Sequence, residues 1–122
     1  MMQELPTPAE ALAALKKQPG IDISKQRPGT KIIVETCNLI FELKVLDPNK
    51  RLVEVTSNSP VLREPTIGQY LRGVYVLDAS VGIDHWIGRT MQMFIRFRNG
   101  DFLTGPAVTA SLSGPGWSYD VF

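Results

Sequence analysis

The sequence predicts an all-β, mainly antiparallel domain: a small β-barrel or two-sheet sandwich of about seven strands, with one short N-terminal α-helix. Three observations lead there. Beyond about residue 30 apolar residues recur at every second position, as where Leu39, Phe41, Leu43 and Val45 alternate with Glu42 and Lys44. Turn signals at Asp47-Pro48-Asn49-Lys50, Asn99-Gly100 and Gly114-Pro115-Gly116 break the chain at short intervals. The links between alternating runs are too short to hold crossover helices, so neighbouring strands run antiparallel.

The helix is expected over residues 8–17. Thr7 can cap it, Pro8 suits the first helical position because its missing N–H would have had no partner, and Glu10 stands three residues after the cap. Ala11, Leu12 and Leu15 make a narrow apolar stripe, and Lys16 and Lys17 lie where the helix dipole favours cations. Residues 18–29, polar and bearing proline and glycine, are expected to be a connector inside a single domain of residues 1–122.

The strands follow from residue 30 to 122. The run "KIIVET" is the first, and "NLIFELKVLD" turns at Asp47-Pro48 into "RLVEVT" as a hairpin with one wet face. "YLRGVYVLD" is aromatic and β-branched, with Gly73 marking a bulge or a close backbone approach. "TMQMFIRF" and "DFLT" flank Asn99-Gly100, where a tight hairpin needs positive φ at both central residues. "AVTASLS" alternates again, and Trp117, Tyr119, Val121 and Phe122 supply an aromatic tail that must be packed, either closing the barrel as a final strand or crossing to another subunit.

Composition excludes several classes. The 13 basic and 12 acidic residues leave a net charge of +1, and residues 59–122 hold five of each sign, so no strong field draws phosphate backbones or anionic lipid. No run approaches the roughly 18 apolar residues of a membrane span, and no apolar leader is evident, so the expected compartment is the cytoplasm. Cys37 is the only cysteine, which rules out an internal disulfide and zinc-type cysteine pairs. No cofactor or metal is expected.

"GIDHWIG" holds the only histidine, His85. If residues 83–97 form one strand, His85 shares the core face with Ile83, Ile87, Met91, Met93 and Ile95, and Asp84 points the other way. Asp84 then cannot orient the imidazole as a triad carboxylate does. Arg96 and Arg98 share a face with Phe94 and Trp86, an arrangement that grips single-stranded nucleic acid in some barrels, but two arginines are too few against so balanced a charge.

The stretch "LDASVGI" resembles the Asp-x-Ser-x-x-Gly loop of PilZ domains, β-barrels that bind cyclic di-GMP. Here Gly82 falls one residue early after Asp78 and Ser80, and no Arg-x-x-x-Arg precedes it. Glu35, Thr36, Asn38, Phe41, Trp86, Ile87, Gly88, Met91 and Thr104 together resemble small β-domains of uncharacterised bacterial proteins, a likeness that implies a fold and no activity.

The function expected from these readings is non-enzymatic: a binding or self-assembly module, either a homo-oligomer or the partner of another protein, acting on neither nucleic acid nor membrane. Trp117, Tyr119, Val121 and Phe122 are the candidate interface. The alternative is a barrel that binds a small ligand or cyclic dinucleotide, with Arg72, His85, Trp86 and Arg96 at its mouth. A third reading is a hydrolase with Cys37 as nucleophile and His85 as base.

Overall fold

Thr7 opens the helix as its spacing implies. In a computed structural model, which describes residues 7–122, α1 spans Pro8–Lys16, and the Thr7 hydroxyl oxygen accepts the Glu10 N–H at 3.2 Å. Ala11 and Leu15 turn the stripe inward, where Leu15 joins Val81, Met91 and the half-buried Leu12, Tyr75, Ile83 and Trp86 in a small second core.

The strands in chain order are β1 (Gly20–Asp22), β2 (Lys31–Glu35), β3 (Ile40–Asp47), β4 (Leu52–Ser57), β5 (Thr66–Tyr75) and β6 (Asp78–Asp84). They continue as β7 (Trp86–Gly88), β8 (Met91–Phe97), β9 (Gly100–Pro106), β10 (Thr109–Gly114) and β11 (Trp117–Asp120). Every pairing is antiparallel. Nine strands form one sheet in the order β11-β10-β2-β3-β4-β5-β8-β9, with β6 also on β5, and β1 and β7 form a separate ribbon.

The all-β antiparallel class and the short N-terminal helix agree with the sequence. The described residues form eleven strands rather than about seven, and the large sheet is rolled without closing into a barrel. Rolling happens where the chain passes from one neighbour to another. Ala107 exchanges backbone hydrogen bonds with the β8 side, donating to Met91 O at 3.0 Å and accepting from Thr90 N–H at 2.7 Å, and the next residue, Val108, donates to Glu35 O beside β2. Strands β9 and β11 remain as the two ends of the sheet.

Alternation places the main core. Ile32, Val34, Phe41, Leu43, Val45, Val53, Val55, Met93 and Ile95 face inward and are buried, and register lines them up in rows such as Ile32–Leu43–Val55. The expected connector at residues 18–29 also contributes. Ile21 pairs with Ile87 in the β1–β7 ribbon, and Ile21, Ile23 and Ile87 are all in this core. The Tyr70 hydroxyl fastens the ribbon to the sheet by donating to the Trp86 carbonyl at 2.6 Å. Gly73 leaves room for that carbonyl, since a Cβ there would lie 2.6 Å from it.

Two turns differ from expectation in detail. Phe97 pairs with Gly100, so Arg98 and Asn99 are the loop residues, and only Gly100 takes positive φ, at 139°. The strand expected to run to Asp78 ends at Tyr75, and Val76 and Leu77 form the exposed tip of the β5–β6 hairpin. In β9, Thr104 fills a ladder irregularity: its buried hydroxyl accepts the Met93 N–H at 2.9 Å and donates to Gly105 O at 2.8 Å.

Candidate functional site

The run of residues 83–97 is three strands, not one. His85 sits at φ 65° between β6 and β7, and Thr90 at φ 64° between β7 and β8. The chain corners at His85, which is therefore half-buried at a left-handed bend rather than enclosed on a strand's core face. Its hydrogen bonds among the described residues run through the backbone: its N–H donates to Leu71 O at 3.2 Å, and its carbonyl accepts the Ile23 N–H at 2.8 Å.

Trp86 turns away from any mouth. Its indole lies over the paired glycines Gly20 and Gly88, where added Cβ atoms would meet ring atoms within 3 Å, and it packs in the second core with Leu15 and Met91. Its Nε1 is buried and finds no hydrogen-bond partner among the described residues.

Arg72 is half-buried on β5, in register with Asp84 on one side and Phe94 on the other. Arg96 is exposed on the same outer face, where Asp101 accepts its Nε–H at 3.0 Å and holds the guanidinium still further above its ordinary value by that hydrogen bond and its charge. The structure thus gathers Arg72, Phe94 and Arg96 on one face and packs Trp86 in the second core.

Cys37 is exposed in the β2–β3 turn, and no hydrogen bond joins it to His85 among the described residues. In the PilZ-like stretch, Asp78 accepts both the backbone N–H and the hydroxyl of Ser80, and these bonds lower its carboxyl below the usual value. Asp78 is the first residue of β6, so the motif makes a local turn into a strand. Among the described residues no three His, Cys, Asp or Glu side chains converge on one point.

The β10–β11 hairpin is built differently. Gly114 pairs with Trp117 across the two-residue loop Pro115-Gly116, with Gly116 at φ 79°, the proline-then-glycine pattern of a type II turn. The Trp117 indole lies over Gly114, where an added Cβ would stand 2.5 Å from its nitrogen. Trp117 and Tyr119 stack with ring centroids 5.8 Å apart, and they lie on the side of the sheet that carries Leu112, the core side, beyond the point where any described residue encloses it. They remain 43% and 57% exposed.

The expected aromatic interface therefore divides. Trp117 and Tyr119 are uncovered, whereas Val121 and Phe122 are half-buried against the main core and held by Ala110, which accepts the Val121 N–H at 2.8 Å and donates to Phe122 O at 3.0 Å. Among the described residues the strand does not close a barrel; it pairs with β10 alone and ends the sheet.

Sequence reasoning missed the charges beside this hairpin. At the Pro115 end a groove of about 430 Å³ is lined by Lys31 and Lys44, cross-strand neighbours. At the other end a groove of about 280 Å³ is lined by Glu35 and Asp120. Only strand register brings these side chains together, so no local motif announces them.

The chain matches no family model, no curated protein and no solved structure.

Proposed function

We propose that this protein is a non-enzymatic self-assembly module whose contact is the edge strand β11 and whose partner is a second copy of the same chain. The observation that carries this reading is the stacked Trp117–Tyr119 pair, left uncovered on an open edge. Aromatic side chains of this kind dominate the binding energy of interfaces.

The two ends of the sheet are treated unequally. Strand β9 carries the devices that discourage edge pairing: a ladder irregularity at Thr104, Gly105, Pro106 and the charged Asp101. Strand β11 has no proline, lysine or irregularity within Trp117–Asp120 and only one charge, Asp120. An edge so unguarded is a template for strand addition. The same reading places the protein in the cytoplasm, where a lone exposed thiol such as Cys37 stays reduced.

Sedimentation equilibrium tests the proposal. The native chain should be a reversible dimer, and Trp117→Ser combined with Tyr119→Ser should weaken it by roughly thirtyfold, the loss of about 2 kcal/mol typical of an aromatic anchor. Both side chains stand outside the main core, so the dissociated chain should still fold, losing only the ring stack and the Trp117 contact with Gly114. A native chain that stays monomeric at high concentration overturns the reading.

A further inference from the structure

We propose that two copies join their β11 strands antiparallel about a two-fold axis through Ser118, so that Trp117 of each copy lies across from the partner's Tyr119. This inference rests on the assembly reading above and adds its register. The hairpin itself supplies the first argument. A two-residue loop is closed by a pair that exchanges ladder hydrogen bonds, so Gly114–Trp117 and Leu112–Tyr119 are bonded pairs. The bonds between Ala110 and Phe122 continue the same alternation. The backbone N–H and C=O of Ser118 and Asp120 therefore point to the open edge, and a new strand must bond to them.

Three symmetric registers bond those groups to one another. Centring the axis on Asp120 sets two like charges directly opposite each other, which is unfavourable. Centring it on Tyr119 pairs the two tyrosines but puts Trp117 across from the partner's Val121, which bends inward to bond Ala110 and leaves the indole uncovered. Centring it on Ser118 lets the two Ser118 residues exchange both backbone bonds. It also places an aromatic residue opposite each of Trp117 and Tyr119, on one face, as a four-ring cluster.

Charge favours the antiparallel sense of the pairing. Ser118 and Asp120 lie on the outer face with Ser113 and Ser111, and Lys31 is the cross-strand neighbour of Ser113. An antiparallel pair centred on Ser118 carries the partner's Asp120 to the Pro115-Gly116 turn, at the end where Lys31 and Lys44 stand. The acidic end of each copy thus meets the basic end of the other.

Cysteine cross-linking tests the register, with Cys37→Ser in every variant so that only the new thiol reports. A bonded antiparallel pair holds its Cα atoms about 5.5 Å apart, within disulfide range. Ser118→Cys should therefore form a covalent dimer under mild oxidation, and Tyr119→Cys should form little. A chain that sediments as a dimer yet links through Tyr119→Cys, or through neither position, overturns the register and leaves the assembly reading standing. A chain that sediments as a monomer overturns both.

Discussion

The Tyr70 hydroxyl donates to the Trp86 carbonyl at 2.6 Å, from a ring that is wholly buried. Through this bond the large sheet holds the β1–β7 ribbon, whose Ile21 and Ile87 complete the main core. Replacing Tyr70 by Phe keeps the ring and deletes the donor, leaving a buried carbonyl short of a partner. We expect Tyr70→Phe to lower unfolding free energy by about 1–3 kcal/mol. Urea unfolding measures it, and a midpoint equal to that of the native chain would show that the bond does not hold the ribbon.

The same residue sets a limit at alkaline pH. Burial pushes the Tyr70 hydroxyl well above its ordinary value of 10.0. The folded chain therefore keeps a proton that the unfolded chain releases. Stability is full below the unfolded value and falls as pH rises past it, towards the folded value. Stability of the native chain should decline above about pH 10, the range where an unfolded tyrosine ionises, and the decline should be shallower in Tyr70→Phe. Equal slopes for the two proteins would remove Tyr70 from the alkaline transition.

The sequence makes most of the main sheet legible because its determinants are local. Asp47 shows why: the side chain accepts the Asn49 and Lys50 N–H groups, so the β3–β4 turn is written within four residues. Ile21 and Ile23 are the contrary case. Two apolar residues in a polar segment have no readable period, and their burial depends on β7, more than sixty residues later. The corner at His85 is hidden for another reason. Ile87, Met91, Met93 and Ile95 are all buried odd positions, so alternation keeps its phase across two breaks, and no glycine occupies either left-handed site. At the candidate interface, the aromatic residues are visible in sequence. What separates uncovered Trp117 from packed Phe122 is a pair of bonds to Ala110, which only the fold supplies.

The left-handed corner gives a last prediction, separating backbone from side chain at the only histidine. His85 has φ 65°, a region that L-residues other than Asn, Asp and His seldom enter and that glycine enters freely. The residue is half-buried, and its hydrogen bonds among the described residues belong to the backbone, which any residue supplies. His85→Gly relieves the left-handed conformation, worth about 1–2 kcal/mol for an L-residue, and offsets much of that by freeing the unfolded chain and losing imidazole contact. His85→Val keeps a side chain but puts a β-branched residue where it is a genuine outlier. We expect the glycine variant to match the native chain to within about 1 kcal/mol and the valine variant to fall below it by at least that much. Chemical denaturation of the three proteins side by side decides it. If glycine proves as damaging as valine, the imidazole itself supports this corner, and a role for the side chain must be sought after all.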